Sequence, residues 1–185
     1  MAKAILEGTG CVMLSEESAL GKFPVEAVRM LAMIAASTEP HCGDARVRED
    51  FADYDGADHL VDLVSRDVQY TLAHLSPTAV IVPTVTGKTA RIISRFKLPV
   101  WIAAVSPEEA TCHGLQFSYG VSPIHEQEHS RDWNTFARRW VQREGLADGL
   151  VVLTEGPSGD NPKANHRLEI IDLRSPSSTE PTDSE

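Results

Sequence analysis

The sequence predicts an α/β fold: three layers, αβα, built on a mixed five-stranded sheet. Three observations carry this. From residue 59 onward, short runs of β-branched and apolar residues alternate with segments of helical period. The first strand segments are apolar throughout rather than alternating, the mark of strands buried on both faces of a parallel sheet. The last two strand segments are joined by about a dozen residues without helical period, so they are expected to lie antiparallel.

Taken in order, residues 2–8 (AKAILEG) form a short helical piece ended by Gly8 and Gly10, and Cys11 to Leu14 (CVML) reads as a short strand. Residues 15–23 read as a polar loop. Pro24 suits the first helical position, and Val25, Val28, Leu31, Ala32 and Ala35 recur at helical spacing, so PVEAVRMLAMIAAS is an amphipathic helix. Glu26 in its first turn complements the helix dipole. Residues 38–56 are acidic and aperiodic, a linker.

A second unit, residues 57–173, follows. HLVDLVSRDVQYTLAHL is a helix with Leu60, Leu63, Val64, Val68, Thr71 and Leu72 on one side. TAVIVPT is a buried strand, GKTARIISRF a helix, VWIAAV a second strand, PEEATCHGLQF a short helix and GVSPI a third strand. SRDWNTFARRWVQREG is a helix with Ser130 as its N-cap, and GLVVLT and HRLEIIDL are the closing strands. The tail, residues 174–185, has nothing to bury and is expected to be disordered.

Composition narrows the function. At 185 residues the chain can bury roughly 70% of its unfolded surface, so it needs neither disulfide nor metal to hold a core. A formal charge of −10 excludes nucleic acid and anionic membranes as general partners, and any anion must bind through a local feature. Cys11, Cys42 and Cys112 are scattered and odd in number, which suggests no disulfide framework and no zinc ribbon. No segment approaches a membrane span or a secretory leader, and the cytoplasm is the expected location.

The chemistry-bearing motif is TAVIVPTVTGKTARIISRF. A buried strand runs into Thr84-Val85-Thr86-Gly87-Lys88-Thr89 and a helix begins at once. Amides at a helix start point outward with partial positive charge. Gly87 admits close approach, the threonines offer hydroxyls and Lys88 a cation, an inventory that fits one phosphate group. The dipole contributes up to about 2 kcal/mol in a partly buried site. A charge-assisted bond from Lys88 adds roughly 1.5–3 kcal/mol. Two other readings stand beside it: a strand-to-helix turn whose threonines only cap the helix, and a nucleotide P-loop, which lacks its first glycine because Val82 holds that place. His125-Glu126-Gln127-Glu128-His129 matches HExxH, but it follows a strand, where the two imidazoles do not share a helix face, and it reads as a loop.

Two stretches resemble a known family. GTGCVMLSEESALGKFPVEAVRMLAMIA (Gly8 to Ala35) is similar to the last strand and helix of the pyruvate kinase barrel, whose pattern there is DGxDxVMLSxExAxGxYPxEAVxxM. TAVIVPTVTGKTARIISRFKLPVWIAAV resembles the segment of that enzyme's C-terminal domain that opens with its TxSGR[ST] loop, and VVLTEGPSGDNPKANHRLEIIDL its final strand, effector loop and strand.

The resemblance implies that residues 1–37 are the end of a (β/α)8 barrel and 57–173 the effector-binding domain. It places Thr84, Thr86, Gly87, Lys88 and Thr89 on the phosphate of an allosteric effector, a sugar phosphate or nucleotide monophosphate, with Ser158, Gly159, Asn161 and Lys163 on the closing loop. Ser15 and Glu17 fall at the rim of the family's active site. The family's magnesium, potassium and substrate ligands come from earlier barrel strands, so no catalytic residue, metal ligand or bound cofactor is expected on this chain. The loop EGPSGDNPKANH carries no arginine, a departure from the bisphosphate-responsive pattern, and Trp133 and Arg131 lie near where those members present a tryptophan and an arginine.

Three functions follow as expectations. One is a regulatory and oligomerisation module, non-catalytic by itself, that binds a phosphorylated metabolite and forms a homo-oligomer. The second is a fragment of a complete pyruvate kinase, converting phosphoenolpyruvate and ADP to pyruvate and ATP. The third is an independent phosphate-binding protein that shares only the fold.

Overall fold

A computed structural model describes residues 1–42, 59–127, 132–157 and 165–174. It contains helices α1 (Ala2–Leu6), α2 (Glu16–Ala19), α3 (Pro24–Thr38) and α4 (His59–His74), then β1 (Ala79–Pro83), α5 (Lys88–Ser94), β2 (Trp101–Ser106), α6 (Glu109–Leu115), β3 (Val121–His125), α7 (Trp133–Arg143), β4 (Leu150–Glu155) and β5 (Arg167–Asp172).

The five strands form one sheet in the order β3-β2-β1-β4-β5. β1 lies between β2 and β4 and is parallel to both, β3 is parallel to β2, and β5 runs antiparallel to β4 with Leu150 opposite Asp172. This is the mixed five-stranded sheet that the sequence predicts.

Alternation along each strand divides the core in two. Ala79, Ile81, Ala103, Val105, Val151, Leu153 and Ile171 face α7, where Phe136, Ala137, Trp140 and Val141 meet them. Val80, Val82, Ile102, Ala104 and Val152 face the other way, against Val68 of α4, Ala90 and Ile93 of α5, and Leu115 of α6. The division has a topological cause. Right-handed crossovers from β1 to β2 to β3 keep α5 and α6 on one face, and the return from β3 past β1 to β4 puts α7 on the opposite one.

The N-terminal unit differs from expectation at one element. Residues 11–14 form no strand; Val12 is 41% exposed and Met13 88%. A strand needs a neighbour to take its backbone N–H and C=O groups, and none is offered there. The loop expected at 15–23 contains the single turn α2. Helix α3 begins at Pro24 as predicted and runs through Thr38 into a 3-10 turn, Glu39–His41. Much of its apolar surface is uncovered: Val25, Val28, Met30 and Met33 are each more than half exposed, while Leu31, Ile34 and Ala35 are half-buried. Most of the predicted linker and the tail lie outside the described residues.

The cap of helix α7 lies two residues beyond the predicted one. Ser130 lies outside the described residues. Asp132 is the N-cap, its Oδ1 accepting the Thr135 amide at 3.1 Å and its Oδ2 the Thr135 hydroxyl at 2.5 Å. An aspartate three residues before a hydroxyl-bearing residue captures both donors at once.

Candidate functional site

In an open α/β sheet, ligands bind outside the carboxyl ends of the strands, where the strand order reverses. Here that crevice lies between β1 and β4, whose connections leave in opposite directions. The loop from Thr84 to Gly87 continues β1 into it, and β4 ends there at Glu155.

The loop is built by side chains gripping its carbonyls. Thr84 extends the ladder, its amide donating to the Val105 carbonyl at 2.8 Å. The Thr84 hydroxyl accepts the Gly87 amide at 2.9 Å. Thr111 of α6 donates to the Val85 carbonyl at 2.8 Å and Ser106 of β2 reaches the same oxygen at 3.4 Å. Arg91, one turn into α5, donates from Nη1 to the Thr86 carbonyl at 2.8 Å. Gly87 has φ 76° and ψ 3°, the left-handed region that favours glycine, and it is buried against Leu115.

The carbonyls are thus turned inward and held. Among the described residues the amides of Val85, Thr86 and Thr89 form no hydrogen bond, whereas the Gly87 amide is spent inside the loop. Thr86 and Lys88 are exposed at the mouth, and Thr84 and Thr89 are half-buried beside them. The five predicted residues therefore share one loop, with Thr84 serving its architecture. Sequence reasoning missed Arg91, Thr111 and Ser106. Thr111 lies 26 residues beyond the carbonyl it holds, a separation that leaves no local signal.

An ion pair, Arg167 Nη2 to Glu155 Oε2 at 2.6 Å, joins the ends of β4 and β5. Ser158, Gly159, Asn161 and Lys163 lie outside the described residues. So does Arg131, while Trp133 is 5% exposed and packs edge-on against Phe136 in the core, with ring centroids 5.3 Å apart.

Ser15 and Glu17 form a local turn: the Glu17 carboxylate accepts the Ser15 amide at 3.0 Å. Backbone hydrogen bonds from Glu17 and Ser15 hold that carboxyl below its usual range. His125 ends β3 with Nε2 3.1 Å from the Pro107 carbonyl, and Glu126 follows it outside any helix, so the HExxH pattern lacks its helical setting; Glu128 and His129 lie outside the described residues. Cys112 is buried, and burial pushes its thiol pKa up, which suits a packing residue. Among the described residues no three His, Cys, Asp or Glu side chains gather in a way that could hold a metal ion, so no step through magnesium is derived from them. Among them, too, no helix is long and apolar enough to cross a membrane.

Residues 62–170 match the family described as "Pyruvate kinase, alpha/beta domain". The chain belongs to this family. Curated pyruvate kinases are similar over most of its length. That of Thermococcus litoralis is 40% identical over 161 residues, covering 84% of this chain and 34% of the relative. Pyruvate kinase 2 of Synechocystis sp. is 38% identical over 160 residues, covering 84% of this chain and 26% of the relative. The chain thus spans about a third or less of these pyruvate kinases. A solved structure, "Cryptosporidium parvum pyruvate kinase in complex with ADP", superposes with a TM-score of 0.76 over 93% of this chain and 35% of that one. At 24% identity it shows the shared fold.

Proposed function

We propose that this chain is the C-terminal portion of a pyruvate kinase and acts together with the barrel that transfers a phosphoryl group from phosphoenolpyruvate to ADP. The observation that carries this is the extent of the likeness. The 161 residues aligned with the Thermococcus litoralis enzyme are more than residues 62–185 contain, so the likeness must continue into the segment before the alpha/beta domain. A protein that shared only the alpha/beta fold would show no reason to keep the barrel-end pattern from Gly8 to Ala35 beside it.

Within that whole, the role proposed for this portion is to bind a phosphorylated metabolite at the Thr84–Thr89 loop. The support is chemical. The loop lies at the strand-order reversal, its carbonyls are held by neighbouring side chains, three of its amides carry no hydrogen bond among the described residues, and Lys88 stands exposed beside them on a chain of net negative charge. A monophosphate suits it better than a bisphosphate, because residues 155–166, which the resemblance makes the closing loop, carry two acids and no arginine.

Two measurements test the proposal. In a coupled assay with phosphoenolpyruvate, ADP, magnesium and potassium, the purified 185-residue chain alone is expected to show no turnover; activity above background would overturn the assignment of chemistry to the barrel. In a thermal-shift titration with inorganic phosphate, ribose 5-phosphate, fructose 1,6-bisphosphate and AMP, at least one is expected to stabilise the wild type. Thr86→Val and Lys88→Ala should each lose that shift. No shift at millimolar concentration from any of them would remove the effector role.

A further inference from the structure

Lys97 is the one residue other than glycine with positive φ among the described residues, at 50°. It sits just past α5, where its amide bonds back to the Ser94 carbonyl at 3.1 Å. That is the position at which helices end on a left-handed residue, and glycine is the usual occupant because it alone escapes the steric cost. A lysine held there calls for a contact that its side chain makes.

The side chain makes one. The Lys97 ammonium lies 4.7 Å from the centroid of the Tyr119 ring. A Cβ added to Gly10 would stand 3.5 Å from the same nitrogen. The ammonium is therefore close both to an aromatic ring of the sheet domain and to the backbone of the N-terminal unit. Burial pulls the Lys97 pKa down, with the neighbouring Cys11 opposing it. The Tyr119 hydroxyl is pushed up by burial, then by Glu39 and Cys42. Gly10 and Cys11 come from the segment after α1, and Glu39 and Cys42 from the 3-10 turn that follows α3 and its cap. Tyr119 is itself fixed, since Ser94 of α5 donates to its carbonyl at 2.9 Å.

Neither core cluster of the sheet domain contains a residue before Val68. Helices α1, α2 and α3 pack mainly on one another. Among the described residues, then, no buried core cluster spans the N-terminal unit and the sheet domain. We propose that Lys97 is the residue that seats residues 1–42 on the sheet domain, through a cation–π contact to Tyr119 and close passage against Gly10. This reading is independent of the effector site and of the catalytic assignment.

Lys97→Gly separates this role from a merely structural one. Glycine removes the left-handed strain, so the sheet domain should unfold at equal or higher urea concentration than wild type. The N-terminal unit should nevertheless loosen: amide hydrogen exchange across residues 24–42 is expected to rise about tenfold, a fold-change in keeping with loss of one cation–π contact. Tyr119→Leu should produce the same rise, and Lys97→Arg, which keeps a cation over the ring, should not. Unchanged exchange in both Lys97→Gly and Tyr119→Leu would overturn the proposal, as would a wild type whose residues 24–42 already exchange at the rate of an unfolded peptide.

Discussion

Replacing Gly87 with alanine tests the construction of the β1–α5 loop. Two costs arise at this position. An L-residue in the left-handed region costs about 1–2 kcal/mol. The new methyl would also stand 3.1 Å from Leu115 Cδ2, 3.2 Å from Leu115 Cγ and 3.1 Å from Arg91 Nη1. Arg91 is exposed and can swing aside, at the price of its bond to the Thr86 carbonyl. Leu115 is fully buried in the core and has nowhere to go, and forcing an extra carbon into such packing costs about 1–3 kcal/mol. Gly145 supplies the comparison within the same domain: its φ is 67°, but a Cβ there would meet nothing within 4 Å. Gly145→Ala therefore carries only the backbone cost, and both variants share the same effect on the unfolded chain. Urea unfolding followed through Trp133 and Trp140 fluorescence should show Gly87→Ala less stable than Gly145→Ala by about 1–3 kcal/mol. If the two variants fall within about 0.5 kcal/mol of each other, the contact between loop and α6 does not constrain the loop as described.

Two further outcomes are expected. Asp132→Ala should destabilise the domain at pH 7. Hydrogen bonds from Thr135 depress the Asp132 pKa, so its contribution is complete above the unfolded value, about 3.9, and is lost as pH falls through the folded one. The gap between Asp132→Ala and wild type should accordingly close in unfolding curves taken below about pH 4, while Asp132→Asn keeps the cap and loses the pH dependence. Trp140→Phe removes an indole N–H that is buried with no acceptor among the described residues. Release of that unsatisfied donor, worth about 1–3 kcal/mol, should offset the lost packing and leave the urea midpoint close to wild type; a loss above about 3 kcal/mol would show that the N–H has a partner.

The sheet domain was legible because its signals are local and redundant. The central residues of β1, β2 and β4 are buried on both faces, so successive positions report the same fact. The antiparallel β5 was readable from the absence of a helix before it. The Cys11–Leu14 run misled because apolar composition records a wish for burial, whereas a strand requires partners that other segments must bring. The cap of α7 slipped by two residues because serine and aspartate both suit the position, and only the geometry around Thr135 separates them. At the candidate site, the loop itself was visible in the strand–Gly–Lys–helix pattern. The donors that hold its carbonyls were not, since Ser106 and Thr111 are ordinary polar residues until the sheet brings them beneath Val85.

The strand order also sets a timetable. β1 finds β2 soon after both are made, but its other neighbour, β4, begins about 70 residues later along the chain. At roughly 5–20 residues per second, a ribosome takes on the order of ten seconds to supply it. From the completion of β3 until β4 emerges, β1–β2–β3 can associate while one side of β1 remains an open apolar edge, even after α7 has been made. Chains interrupted before Leu150 would be left in that state, with a template for pairing to their own kind.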